Sequence, residues 1–180
     1  MSQRTEASGR DRSTLVTLRA SRMKTLRTSV WITLVTLGVQ FILGMATNLF
    51  GTFPATSVVL QALQSTSDPA LMAHMSVAFV LLSLSILVAC LAFRKPLLRR
   101  FAGWAVGGFL AVFWAFESGI GFVVSGFSNN LYSFSMALGF LAAFAIYFLM
   151  AHLSSPRFAE LMDSEPLALT SKDDGTSADA

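Results

Sequence analysis

SVWITLVTLGVQFILGMATNLFG, residues 29–51, is an apolar run that still carries a ladder of small and polar side chains. Its length suits a membrane-spanning helix, which needs about 20 mostly apolar residues. At about 100° per residue, Ser29, Thr33, Thr36, Gln40, Gly44, Thr47 and Asn48 fall on one side of such a helix. Trp31, Ile32, Val35, Phe41 and Ile42 lie largely elsewhere. One side is therefore expected to face protein and the other lipid.

Three further runs of the same kind follow at 70–93, 102–126 and 131–152. The 180-residue chain is 54% hydrophobic and 13% charged, whereas about a quarter of an ordinary soluble domain is charged. These features predict an all-α membrane protein, a four-transmembrane-helix antiparallel bundle occupying residues 29–153. Punctuation agrees with the spacing. Asp68 before Pro69 is a helix start, the carboxylate accepting from free amides and Pro sitting where no donor is lost. Pro96 ends the second helix, and the uncharged link SGFSNN is short enough to make spans three and four neighbours. The first run is longer than the core of a signal peptide and is read as uncleaved. A single cysteine, Cys90, excludes an intrachain disulfide.

The charges sit in blocks. Arg4, Arg10, Arg12, Arg19, Arg22, Lys24 and Arg27 precede the first span, Arg94, Lys95, Arg99 and Arg100 join the second to the third, and Arg157 and Lys172 follow the fourth. These are all 13 basic residues, and the two opposite loops have none. The positive-inside rule then predicts a cell-membrane protein with both termini cytoplasmic. Residues 1–28 read as a basic cytoplasmic tail, with 13–27 able to form a short amphipathic surface helix. Residues 154–180 read as a largely disordered acidic cytoplasmic tail. In the first loop, Val58, Val59, Leu60 and Leu63 suggest a short surface helix. With its basic residues at membrane ends, the high pI does not point to nucleic acid; the expected partners are the lipid bilayer and another membrane protein, or a second copy in a homo-oligomer.

Polar groups inside a membrane are costly and mark the places worth testing. Glu117 is the only acid within a span, about 13 Å below the loop end of span three, and needs a partner or a proton. Gly103, Gly107, Ser118 and Ser125 lie on its broad side and suggest a packed face. His74 enters the second span from the same membrane side, so a His74–Glu117 pair is conceivable. Gln40, near the middle of span one, must find a hydrogen-bond partner, either as glue across the bundle or along a polar path with Thr33, Thr36, Thr47 and Asn48. Glu117, His74, Gln40 and Asn48 form the candidate polar site. The expected interior lining is Gln40, Gly44, Asn48, His74, Ser85, Glu117, Gly121, Ser135 and Gly139, with Phe41, Cys90, Phe109 and Phe148 toward lipid or peripheral.

His152 and His74 fall at opposite membrane faces, roughly 20 Å or more apart, which excludes a shared haem iron. His74 with Met45 or Met136 is the remaining haem arrangement, and it is not favoured because Met is also ordinary gap filler. No phosphate-binding glycine loop, nucleophile–His set or zinc pair occurs, so no cofactor, metal or catalytic site is expected. The leading expectation is a non-catalytic accessory or interaction subunit. The rival is a small proton-coupled or ion-conducting carrier using Glu117.

Gly44-Met45-Ala46-Thr47-Asn48-Leu49-Phe50, followed by Pro54, resembles an uncharacterised group of actinobacterial four-span membrane proteins with a G-M-x-x-N-L-F segment in the first span. The likeness extends to His74 with Ala78, and to Phe116, Ser133, Met136, Ala137 and Tyr147. It implies the four-span architecture and carries no activity. Where that group tends to have Asn-Gly after Phe116, this chain has Glu117-Ser118, so the resemblance implies no role for Glu117.

Overall fold

A computed structural model describes the backbone of residues 3–50, 58, 61, 68–94 and 96–155, and the side chains of these within 23–50, 58, 61, 68–94 and 98–155. Four α-helices account for nearly all of it: α1 Gln3–Phe50, α2 Pro69–Arg94, α3 Ala102–Val124 and α4 Asn130–Leu153, with a 3-10 turn at Pro96–Phe101 before α3. No strand occurs among the described residues. Each helix contains a stretch long and apolar enough to cross a membrane. In lipid, a helix is the only open-ended element that satisfies its own backbone polar groups.

The ends follow the sequence signals. Asp68 Oδ1 accepts from the amides of Ala70 at 2.8 Å and Leu71 at 3.3 Å, capping α2 with Pro69 as its first residue. Asn129 caps α4 through a 3.0 Å bond from the Leu131 amide. Between α3 and α4 the chain reverses through two left-handed residues, Gly126 at φ +64° and Phe127 at φ +60°. The Phe127 amide donates back to the Phe122 carbonyl at 2.9 Å, and the Phe127 ring meets Phe122 edge-on. An aromatic residue tolerates this conformation because both bonds and ring contact fix it.

α1 differs from the expectation. Its 48 residues form one continuous helix, in place of the expected tail before Ser29 or its alternative, a separate surface helix at 13–27. Its packed part also starts before Ser29: Leu26 is fully buried and Met23 rests on the core. The flanking Lys24 and Arg27 hide this apolar stripe in the sequence. The expected surface helix around Val58–Leu63 and the acidic tail from residue 156 lie outside the described residues.

One half of the bundle is solid. Leu26, Val30, Leu34 and Leu37 of α1 meet Leu81, Val88 and Ala92 of α2, Leu98, Phe101, Ala102, Ala105, Ala111 and Val112 of the third segment, and Ala143, Tyr147, Met150 and Ala151 of α4. Lys24, Arg27, Arg94, Arg99 and Arg100 flank this half, here called the basic end. Lipid is as apolar as leucine and gives helices no hydrophobic reason to associate; close packing has to supply it. Small residues do so between α3 and α4, the most extensive contact in the bundle. A Cβ on Gly139 would stand 2.9 Å from the Ala115 amide nitrogen and 3.0 Å from the Ala111 carbonyl oxygen, so the two backbones nearly touch there. α1 and α4 make the sparsest contact of the neighbouring pairs.

Gly139→Ala is expected to destabilise the bundle by about 1–3 kcal/mol through overpacking. Gly38→Ala, whose methyl would meet nothing within 4 Å, is expected to leave stability unchanged or raise it slightly. Thermal melts of both variants in detergent check the contrast, and indistinguishable melts would remove the close-approach argument.

Candidate functional site

The polar ladder of α1 divides into two kinds. Thr33 and Thr36 spend their hydroxyls on their own helix, donating to the Ser29 and Ile32 carbonyls at 2.9 and 2.8 Å. Ser76 and Ser83 of α2 do the same. Thr47 does not: at 5% exposure its Oγ1 is buried with no hydrogen-bond partner among the described residues. Gln40 and Thr47, two turns apart, keep polar atoms free for something other than their own helix.

His74 lies between those two turns. A Cβ at Gly44 would stand only 3.0 Å from His74 Cε1, so the absence of a side chain there admits the imidazole against α1. The ring reaches Gln40, with 3.5 Å between Gln40 Nε2 and His74 Nε2. Gln40 Oε1 and His74 Nδ1 are left buried without a partner. The sequence requirement that Gln40 be satisfied across the bundle is half met: one end of the amide bonds to α2, and the other does not.

These groups border a cavity of about 550 Å³ in the half away from the basic end. All four helices line it, and its floor is Leu37, Leu81, Val112 and Ala143, the start of the solid core. Gln40, Thr47, Asn48 and His74 make a polar wall on α1 and α2, while Phe116, Ile120, Phe122, Met136 and Phe140 make an apolar wall on α3 and α4. Among the described residues no Asp, Glu, Lys or Arg lines it. Lining residues that are themselves exposed mark its mouth: Phe41, Met45 and Asn48 on α1, and Ala137 and Leu141 on α4. Phe41 stacks on Phe140 at 5.3 Å, closing the gap toward the basic end. Phe79, also exposed, lies edge-on to Phe116 at 5.1 Å and closes the opposite flank. The volume lies within the ~300–1,000 Å³ usual for small-molecule sites.

Glu117 does not belong to this site. It is exposed and outside the cavity lining, which corrects both its place in the expected interior and the conceived pair with His74. α3 carries small residues on two sides: on the Glu117 side Gly103 is open, while Gly107 and Gly121 lie against Ile146 and Tyr132 of α4. Ala105, Gly108, Ala111, Ala115 and Ser118 turn inward, where Tyr147 lies against Gly108 and Ser118 bonds Ser135 at 2.9 Å. Glu117 is nine residues from Gly108, half a turn round the helix. It shares the outward face with Gly103, Leu110, Trp114 and Val124, all exposed. The Trp114 indole N–H donates to Ser135 Oγ at 2.8 Å, tying the edge of that face to α4.

The other expected positions are as follows. Ser85 and Gly139 are buried, Gly44, Gly121 and Ser135 half-buried, and Asn48 is exposed at the cavity mouth. Phe41, Phe148 and Cys90 face outward, and Phe109 is half-buried at the periphery. Sequence reasoning gave no structural part to Tyr147, whose fully buried ring is directed at Ser85 without reaching good hydrogen-bond geometry. An aromatic with a polar tip inside a run of Ala and Phe was its signal. No group of three or more His, Cys, Asp or Glu side chains gathers among the described residues.

Compared with known proteins, the chain matches no family model, no curated protein and no solved structure.

If the Gln40–His74 contact links α1 to α2, the effects of Gln40→Leu and His74→Leu on stability are non-additive. The expected coupling is about 0.6 kcal/mol and below ~1.7, the range found for polar pairs between membrane helices. SDS titration of both single variants and the double variant measures it.

Proposed function

We propose that this chain is a non-catalytic accessory subunit of the cell membrane, an antiparallel four-span bundle with both termini cytoplasmic. It assembles with another membrane protein through the outward face of α3. The observation that carries this reading is the position of Glu117. A charged side chain such as Asp at the centre of a span costs about 2.5–3.5 kcal/mol on insertion scales, and ionisable residues in membranes almost always face protein or water. Glu117 faces neither the bundle core nor the cavity, and has no hydrogen bond or ion pair with any described residue. A partner helix on this face would end that exposure. Gly103, where an added Cβ would meet nothing within 4 Å, leaves room for such a helix to come close.

The orientation rests on charge. Lys24, Arg27, Arg94, Arg99 and Arg100 crowd one end, and the loops at the other carry no Lys or Arg. The rival reading, a proton-coupled carrier working through Glu117, draws less support, because the carboxyl is outside the cavity and the cavity is floored by the packed core.

Mild-detergent purification from native membranes is expected to recover a stoichiometric partner. Glu117→Gln, which keeps a hydrogen-bonding end, should retain it. Glu117→Leu should weaken recovery by about threefold to twentyfold, the worth of one polar contact between spans. Recovery of a second copy alone would make the assembly a homo-oligomer, and equal recovery by all three forms would remove Glu117 from the interface. Proton flux in vesicles holding the pure protein, lost in Glu117→Gln, would instead favour the carrier.

A reporter fused after Ala180 is expected to be active only on the cytoplasmic side, and an external signal would reverse the orientation.

A further inference from the structure

Lys24, Arg27, Thr28 and Trp31 stand on one face of α1 at the basic end, around an open groove of about 510 Å³ whose inner part is lined by Ile32 and Val35. We propose that this groove binds an anionic glycerophospholipid, with the phosphate held by Lys24 and Arg27 and the acyl chains laid on Ile32 and Val35. The α3 face plays no part in this site.

The groove faces away from the bundle. Leu26, Val30, Thr33 and Leu37, on the opposite side of α1, are buried in the core. Lys24, Thr28, Trp31, Ile32 and Val35 are exposed, and Arg27 is half-buried. Depth assigns the two ends of the groove to different layers. Trp31 lies about 28 Å from Phe50, the last residue of α1, and so at the edge of a hydrocarbon core about 30 Å thick. Tryptophan favours that boundary. Lys24, Arg27 and Thr28 then fall in the head-group layer, while Ile32 and Val35 fall among the acyl chains.

The head group follows from the donors left over. Lys24, Arg27, Thr28 and Trp31 have no hydrogen-bond, ion-pair or ring partner among the described residues. Thr28 differs in this from Thr33 and Thr36, whose hydroxyls donate to carbonyls one turn back. Lysine, arginine and tryptophan side chains offer hydrogens and no acceptor, so the ligand has to supply acceptor oxygens and negative charge. Lys24 and Arg27, three residues apart, are neighbours on the helix surface. The Arg27 guanidinium matches two oxygens of one phosphate, and Lys24 adds a point charge beside it.

Length excludes the simpler anions. The donors extend about 10 Å along the helix from Lys24 to Trp31, more than a fatty-acid carboxylate or a free phosphate covers. A glycerophospholipid carries ester carbonyls below its phosphate, at the depth of Thr28 and Trp31. Phosphatidylcholine has the same acceptors but brings a quaternary ammonium beside two cations, a repulsion that selects against it.

The test uses the full-length chain carrying Trp104→Phe and Trp114→Phe, which leaves Trp31 as its one tryptophan. It is reconstituted in phosphatidylcholine vesicles with rising fractions of phosphatidylglycerol brominated in its acyl chains, a quencher of nearby indole. A basic residue near a lipid surface is worth about fivefold in affinity for anionic lipid. Quenching of Trp31 is expected to show phosphatidylglycerol preferred over brominated phosphatidylcholine by about fivefold to twenty-fivefold. The preference should fall by about fivefold in Lys24→Gln and in Arg27→Gln, and stay unchanged in Arg94→Gln and Arg100→Gln, which lie outside the groove. Sodium oleate and glycerol 3-phosphate should leave the quenching as it was. Should the doubly substituted background fail to fold, native mass spectrometry of the intact chain released from mixed vesicles reads the same preference, with phosphatidylglycerol retained and its retention reduced in Arg27→Gln. Equal quenching or equal retention of the two lipids overturns the proposal. So does a preference that survives both groove substitutions, one that falls as far in Arg94→Gln and Arg100→Gln, or displacement by oleate or glycerol 3-phosphate.

Discussion

The architecture depends on the near-contact of two backbones at Gly139. Helices already in lipid gain nothing from hiding apolar surface, so they hold together only where many atoms come within dispersion range. α3 and α4 achieve this because Gly139 faces Ala111 and Ala115, and because Gly108 leaves room for the Tyr147 ring. That pair is the platform on which α1 and α2 pack through Leu, Val and Ala. The same requirement explains why the solid half lies toward the basic end: Ala92, Ala102, Ala105, Ala143 and Ala151 are all there and all buried. Toward the other end the residues facing the axis become Phe, Met, Ile and His, whose bulk and shape keep the helices apart and leave a cavity.

The packed stripe also decides the fate of Glu117. A helix can press only one of its faces hard against a given neighbour, and α3 had two small-residue stripes to choose from. The stripe through Ala105, Gly108, Ala111 and Ala115 meets a complementary glycine on α4, whereas the side that carries Gly103 and Glu117 touches α4 along its edge, through Gly107 at Ile146 and Gly121 at Tyr132. Choosing the first rotates Glu117 outward. The carboxylate is thus left exposed by a packing preference elsewhere on the same helix.

Much of the fold was legible in the sequence because its signals are local. Span lengths, the Asp68–Pro69 start and the Pro96 stop each depend on a few adjacent residues, and apart from the start of α1 the helices begin and end within a residue or two of where these put them. The inward stripe of α1 was legible as well, since Thr33, Gln40, Gly44 and Thr47 share a face at helical spacing. The rotation of α3 was not, because it depends on which small residues meet a glycine on another helix. Nor was the use of each hydroxyl: Thr33 and Thr47 look alike in a helical projection, yet one donates to its own backbone and the other does not. A cavity is a volume that side chains from four helices fail to fill, and no single stretch encodes it.

The closed floor bears on what kind of work the polar groups can do. Moving an ion or a proton across the membrane needs a polar route that reaches both sides, or a bundle able to open alternately toward each. Here Gln40 is the deepest polar group on the cavity wall, and beneath it Leu37, Leu34 and Val30 of α1 are buried against Val88, Ala105 and Met150. Below the floor the Tyr147–Ser85 pair is sealed within this core, and Ser85 already donates to the Leu82 carbonyl at 2.7 Å. Opening a path there would pull α3 from α4 at their tightest contact. The mouth lies instead between the helices that hold each other least, and widening it disturbs little beyond the Phe41–Phe140 stack. Packing of this kind leaves no polar route through the bundle among the described residues, so the carrier reading would need α3 and α4 to part where they are closest.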